Sequence, residues 1–231
     1  MQATTMPFSF FLAFPSLPRF TKSDVDAGNI GEDAATLCDA IRAVFFLSRS
    51  IRKERTLWLS FAADRALVAM AGGALRYLGP DERSMLMLVD KASERLTLAP
   101  MANASTTHSV WTESTPGIKC LAGLDPGTAL ARVARECPGQ AFVVPTFTIV
   151  EPAGLPSIVF PPDLPARVAG RGAVLVMALD GSPVTSWAGS PAASSLPEQL
   201  KNIEINLCTR SPTLASKILA INLIEDNARV G

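Results

Sequence analysis

The stretch Asn202-Ile203-Glu204-Ile205-Asn206-Leu207-Cys208-Thr209-Arg210-Ser211-Pro212-Thr213-Leu214-Ala215-Ser216-Lys217-Ile218-Leu219-Ala220-Ile221-Asn222-Leu223-Ile224-Glu225-Asp226 changes its hydrophobic period halfway along. Ile203, Ile205 and Leu207 alternate with Glu204 and Asn206, the two-residue period of a half-buried strand. Leu214, Ile218 and Ile221 then recur at three and four, the period of a helix. A short loop joins them, and Ser211 ahead of Pro212 predicts an N-cap followed by the first helical residue. Free N–H groups of that first turn would face whatever sits above the strand end, which is how an α/β protein builds a small-molecule site. The plain alternative is a structural strand-loop-helix with nothing bound, and on this stretch alone it carries more weight.

Upstream of this stretch the same fold class continues. Asp125 and Pro126 open a helix carrying Leu130, Val133 and Ala134 that ends near Cys137-Pro138-Gly139. Ala141 to Val150 reads as a strand, and Ala173 to Met177 is an unbroken apolar run fit for a strand buried on both faces. Helix, strand, strand, strand, helix predicts a parallel α/β sheet covered by helices. Between these strands, Glu151 to Pro165 is rich in proline and reads as an irregular connection, and Ser182 to Pro197 is loop-like.

The first half is more mixed, α+β in flavour. Phe8 to Phe14 predicts a strand rather than a signal peptide, because no basic region precedes it and Pro15 and Pro18 interrupt it. Thr21 to Gly31 reads as a loop. Glu32 and Asp33 open a helix whose face runs through Leu37, Ile41, Val44, Phe45 and Ser48. Thr56 to Phe61 returns as a strand. Ala66 to Met70, Gly72-Gly73 and Ala74 to Leu78 predict a β-hairpin. Pro80, Asp81 and Glu82 open another helix, through Met85, Leu88, Val89, Ala92 and Leu96. Ser114-Thr115-Pro116-Gly117-Ile118 is a turn by composition. Arg49, Arg52, Lys53 and Arg55 crowd the connection before Thr56, either as cations on a solvated helix end or as a phosphate-binding patch.

Composition limits the function classes. In 231 residues, 21 basic side chains balance 21 acidic ones, so any nucleic-acid contact must come from a local patch rather than an overall field. Cys38, Cys120, Cys137 and Cys208 form no C-x-x-C pair and His108 is the sole histidine, a poor basis for a metal site. The four cysteines read as reduced thiols of a cytoplasmic protein. A single domain spanning residues 1–231 is expected, with an irregular insertion at about 151–170 and no membrane segment.

Three passages, taken in order, resemble a known family. They are Leu37-Cys38-Asp39-Ala40-Ile41-Arg42-Ala43-Val44-Phe45-Phe46-Leu47-Ser48-Arg49-Ser50-Ile51-Arg52-Lys53, then Leu75-Arg76-Tyr77-Leu78-Gly79-Pro80-Asp81-Glu82-Arg83, then Ser114-Thr115-Pro116-Gly117-Ile118. Their order and spacing are similar to those of the TrmY family, tRNA pseudouridine-54 N1-methyltransferases of the SPOUT superfamily. The resemblance implies an α/β fold with a C-terminal trefoil knot, a homodimer, tRNA as partner, and S-adenosylmethionine bound in the knot, with no metal. The opening stretch would be the knot strand, its loop and the threaded helix, Leu214-Ala215-Ser216 matching the family's "LLAS". The family's "LGDHIG" loop stands here as Ala178-Leu179-Asp180-Gly181, its "LGP" as Leu207-Cys208-Thr209, and a cysteine of its last helix as Ile218.

On this resemblance the cofactor pocket is expected at Val144, Gly181, Leu207, Cys208, Thr209, Ser211 and Leu214, with Asp180 as the base that takes the N1 proton. Phosphate contacts are expected from Arg49, Arg52, Lys53 and Arg83. The competing class is a non-catalytic, knotted RNA-binding or scaffold protein whose cofactor loops have lost their glycines.

Overall fold

The computed structural model describes residues 8–46, 50–98, 110–149, 172–179, 200–207 and 213–230. The elements run β1 (Phe8–Phe14), α1 (Lys22–Asp26), α2 (Glu32–Phe45), β2 (Thr56–Phe61), β3 (Ala66–Ala71), α3 (Glu82–Leu98), β4 (Thr112–Thr115), β5 (Ile118–Ala122), α4 (Pro126–Glu136), β6 (Ala141–Ile149), β7 (Ala173–Ala178), β8 (Leu200–Leu207) and α5 (Leu214–Val230). The strands form one eight-stranded sheet in the order β4-β5-β3-β2-β1-β7-β6-β8. Its halves differ in kind: β2, β1, β7, β6 and β8 pair parallel, while β2-β3, β3-β5 and β5-β4 pair antiparallel. The α/β reading with a mixed first half therefore describes the chain.

Apolar residues on both faces explain the central strands. Phe10, Leu12, Leu57, Leu59, Val143 and Leu175 pack on one face with α2, α3 and α5, whereas Phe11, Trp58, Phe142, Val174 and Val176 pack on the other with Leu130 and Val133 of α4. A strand sandwiched this way needs no polar alternation, hence the unbroken runs in β1 and β7. Burying one such Leu or Phe contributes about 1.5–3 kcal/mol. Asp125 caps α4 by accepting from the Thr128 N–H at 3.0 Å and the Thr128 hydroxyl at 2.6 Å. Burial opposes ionisation of Asp125, but these bonds outweigh it and hold the carboxyl below its ordinary range. The cap accordingly contributes stability above pH about 4 and loses it as the pH falls further.

The structure corrects three expectations. Ala74 to Leu78 is not the second strand of a hairpin: β3 pairs with β2 on one side and β5 on the other, and Tyr77 has a left-handed φ of 68° that a ladder does not accommodate. The turn expected at Ser114–Ile118 is present and joins β4 to β5. Thr21 to Gly31 contains α1, opened by a capping box in which Thr21 and Asp24 bond reciprocally. The last helix starts at Leu214, where the Thr213 hydroxyl accepts the Ser216 N–H at 3.2 Å, so the cap is Thr213 and not Ser211.

The last helix is tied to the first half by buried polar groups. Arg55, 1% exposed, donates to Oδ1 of the fully buried Asn222 at 2.8 Å, and Asn222 Nδ2 donates to the Ala43 carbonyl of α2 at 2.8 Å. The Arg55 guanidinium also lies 5.8 Å from the centroid of the Phe10 ring. Replacing Asn222 with Leu removes an acceptor from a buried cation and a donor from a buried carbonyl. The expected cost is about 2–4 kcal/mol in urea denaturation, from about 1–3 kcal/mol for each group left unsatisfied. Asn222→Asp keeps the acceptor and should cost clearly less; equal losses would mean that the bond to Arg55 contributes nothing.

Candidate functional site

The candidate cofactor edge is set by strand order. β6 lies between β7 and β8, all three parallel, so the chain goes from β6 to one neighbour and then crosses to the other side for β8. Carboxyl ends of strands at such a reversal are where open α/β sheets hold ligands. Leu207 at the end of β8 is level with Ile149 at the end of β6, and β7 closes on β1 where the Leu179 N–H donates to the Ala13 carbonyl at 2.9 Å. Leu214, buried at 8% exposure, opens α5 after the connection from β8. Val144 is level with Asn202, five residues short of Ile149, and packs on the α4 face. At about 3.3 Å per residue that puts it about 16 Å from the strand end, so the structure does not bring Val144 to this edge. Asp180, Gly181, Cys208, Thr209 and Ser211 lie outside the described residues.

The three family-like passages converge at the opposite edge. Arg42 of α2 donates from Nε to the Pro80 carbonyl at 3.0 Å and lies 3.9 Å from Glu82, joining the first passage to the second. Gly72 donates to the Arg55 carbonyl at 2.8 Å, so close that a Cβ at position 72 would overlap the Arg52 carbonyl oxygen. Gly117, at φ 84°, sits so tightly on Leu75 that a Cβ would collide with its backbone nitrogen. Side by side these loops make a corner at the start of β2, the end of β3 and the start of β5.

Ion pairs at the corner separate the expected phosphate contacts. Arg52, 13% exposed, is held by Asp226 of α5 at 2.5 Å and lies 4.0 Å from Glu54. Arg83 pairs with Asp26 at 2.5 Å. Lys53 is exposed and makes no ion pair among the described residues, and the same holds for Arg76, which nothing in the sequence pattern singles out. Arg49 lies outside the described residues. The helix α5 spans the molecule between the two edges, with Leu214 at one end and Asp226 at the other. At about 1.5 Å per residue the two are about 18 Å apart.

A cavity of about 410 Å³ opens beside this corner on the α4 face, and Ala74 and Gly117 border it. Trp58 and Gln140 also line it, and neither the Trp58 indole N–H nor Gln140 Oε1 finds a hydrogen-bond partner among the described residues. No periodicity in the sequence signals the cavity, because its walls come from β1, β2, β3, β4, β5 and the end of α4.

Thiol chemistry is absent from the described cysteines. Burial pushes the Cys38 thiol up to about 12, with the Glu82 carboxylate adding to it, and burial pushes Cys137 up to about 11. Burial raises Cys120 as well. All three are neutral at physiological pH and behave as core groups. Among the described residues no group of His, Cys, Asp and Glu could hold a metal ion, and no helix is long and apolar enough to cross a membrane.

Comparison with known proteins points in one direction. The chain is 38% identical over 81 residues to the tRNA (pseudouridine(54)-N(1))-methyltransferase of Haloferax volcanii, covering 35% of this chain and 39% of that protein. It is 39% identical over 80 residues to the protein of the same name from Haloarcula marismortui, and 29% identical over 85 residues to that of Methanococcus maripaludis. The match spans about two fifths of the length of these relatives. No family model matches the chain.

One consequence of the ion pairing is measurable. Arg52→Ala leaves Asp226 without its partner and should lower stability by about 1 kcal/mol, with the double change Arg52→Ala, Asp226→Ala recovering part of it. Lys53→Ala should leave the melting temperature within about 1 °C, since surface changes cost under about 0.5 kcal/mol. Thermal denaturation of the three variants checks both.

Proposed function

We propose that this chain is an S-adenosylmethionine-dependent RNA methyltransferase that methylates N1 of pseudouridine at position 54 in the tRNA T-loop, and that it works as a homodimer with a C-terminal trefoil knot. The observation that carries the reading is the reversal of strand order around β6, which places the ends of β6, β7 and β8 on one edge. Similarity to tRNA methyltransferases over part of the chain supports it. Leu223, 43% exposed on α5, leaves apolar surface for a second copy to cover.

The cofactor, when bound, supplies a methyl group on a positively charged sulfur. This chain's part is alignment and proton removal, and alignment alone accounts for much of such a rate enhancement. On this reading Leu207, Cys208, Thr209 and Ser211 hold the cofactor between β8 and α5, Gly181 lets the backbone approach it, and Leu214 closes the apolar side. Asp180 would take the proton that N1 must lose for the base to accept the methyl group. The described part fits the group in two respects: the strand ends meet on one edge, and Leu214 offers a buried apolar wall beside it. Val144 is left out of this pocket because it lies away from that edge. Lys53 contacts RNA phosphate, with Arg49 beside it in the chain. Arg52 and Arg83 reach phosphate only by giving up Asp226 and Asp26.

Calorimetric titration of S-adenosylmethionine, followed by transfer of labelled methyl to tRNA containing pseudouridine 54, tests the reading. Binding and transfer are expected, with a light-scattering mass of two chains. Binding without transfer would move weight to the scaffold alternative. Asp180→Asn should reduce transfer by about 10²- to 10⁴-fold, the usual weight of a general base, without loss of cofactor binding. Cys208→Gly restores backbone freedom next to the cofactor and should keep or tighten its binding. Loss of binding would show that Cys208 is itself a contact.

A further inference from the structure

Tyr77 is the chain's one tyrosine, and it stands in solvent at 79% exposure. The aromatic residues of the central strands do the reverse: Phe10, Phe11, Phe14, Trp58 and Phe61 are buried. Its backbone is also out of the ordinary, with φ of 68°, a conformation that side-chain-bearing residues rarely adopt and that glycine adopts freely. The kink turns the chain so that Leu78, 6% exposed, enters the core while Tyr77 faces water. The next two residues are fixed in place: the Gly79 N–H donates to Ser84 Oγ at 2.9 Å and the Pro80 carbonyl accepts from Arg42 at 3.0 Å. The burial of Leu78 offsets the backbone strain, but the core takes nothing from the ring itself, which a rigid support holds out in solvent. A large aromatic ring held exposed in this way is available to a ligand.

Its neighbours carry the matching charge. Arg76 precedes it, exposed and without an ion pair among the described residues, and Lys53 is in the same condition. The Lys53 carbonyl touches the position a Cβ of Gly73 would take, so the two loops adjoin. Unpaired cations beside an exposed ring match a single-stranded nucleic acid, whose phosphates meet the cations while an unstacked base lies on the aromatic face. A lipid surface would call for several apolar groups together, and at this corner only one large exposed apolar side chain is present among the described residues.

We propose that Tyr77, with Arg76 and Lys53, is a docking site for an unpaired RNA nucleotide, on the sheet edge opposite the candidate cofactor loops. The site deepens the RNA reading above and rests on it for the identity of the RNA, though not for the stacking itself. A tRNA bound here while reacting at the other edge would span the length of α5.

The test uses the full-length protein and two probes: a fluorescently labelled single-stranded oligouridylate for the docking site, and tRNA with labelled S-adenosylmethionine for methyl transfer. Tyr77→Ala should weaken oligouridylate binding about fivefold or more, the weight of one stacked base, while Tyr77→Phe stays near wild type. Tyr77→Gly relieves the backbone strain, so it should melt no lower than wild type and still bind weakly, which separates lost stacking from lost folding. Arg76→Gln and Lys53→Gln should each reduce the salt slope by up to about 0.7. Equal affinities of wild type, Tyr77→Ala and Tyr77→Phe, or no oligouridylate binding by wild type, would overturn the docking site even if tRNA is methylated. Tyr77-dependent binding without methyl transfer would uphold the site and remove the methyltransferase reading instead.

Discussion

A guanidinium buried at 1% exposure is costly to leave without polar partners, and the arrangement around Arg55 is the constraint that the rest of this molecule obeys. Arg55 stands directly before β2, so its position is set by the sheet. Its partner Asn222 comes from the last helix, and Asn222 in turn bonds the backbone of α2. Elements more than 160 residues apart in sequence are thereby held in one register, since an amide with one oxygen and one NH₂ can satisfy both neighbours in only one orientation. Leu214, Ile218 and Ile221 supply most of the attraction between α5 and the core, but apolar contact alone permits sliding. The polar tie removes that freedom.

Once α5 is fixed, the relation between the two edges of the sheet is fixed with it. Its first turn stands beside the ends of β6 and β8, and Lys217 lies 5.3 Å above the Phe147 ring near that edge. One turn beyond Asn222, Asp226 captures Arg52 at the other edge. A cation that looks free in the sequence is in this way drawn into the structure, and the exposed charge that makes no ion pair at this corner, among the described residues, lies on Lys53 and Arg76. Because the whole chain is neutral, such local accounting matters more here than in a basic RNA-binding protein.

The corner where α2, the loop through Tyr77 and the β4-β5 turn meet shows why three short passages resemble a family together while none is distinctive alone. They are one physical object. Gly72 and Gly117 are needed because backbone meets backbone there, and Arg42 is needed because it reaches the Pro80 carbonyl.

Local chemistry is legible in the sequence wherever it needs only neighbours along the chain. The helices opened by Glu32 and by Asp125-Pro126, the strands through Phe10 and Val174, the parallel character of the last strands, and the buried stripe of Leu214, Ile218 and Ile221 all come from period and caps. The short helix behind Thr21 is equally local but is hidden, because its capping box sits in a polar, glycine-bounded stretch. Tertiary structure alone decided the partners. No period distinguishes β5 from Ala74–Leu78 as the neighbour of β3, because both are short apolar runs beyond a turn and only the left-handed Tyr77 and the β5 ladder choose between them. The same holds for the site. That strand ends form a candidate cofactor edge is readable from alternation, but that Val144 lies away from it depends on the register of β6 against β8. Whether an arginine faces solvent or an aspartate 174 positions away is a fact of packing, which composition averages out.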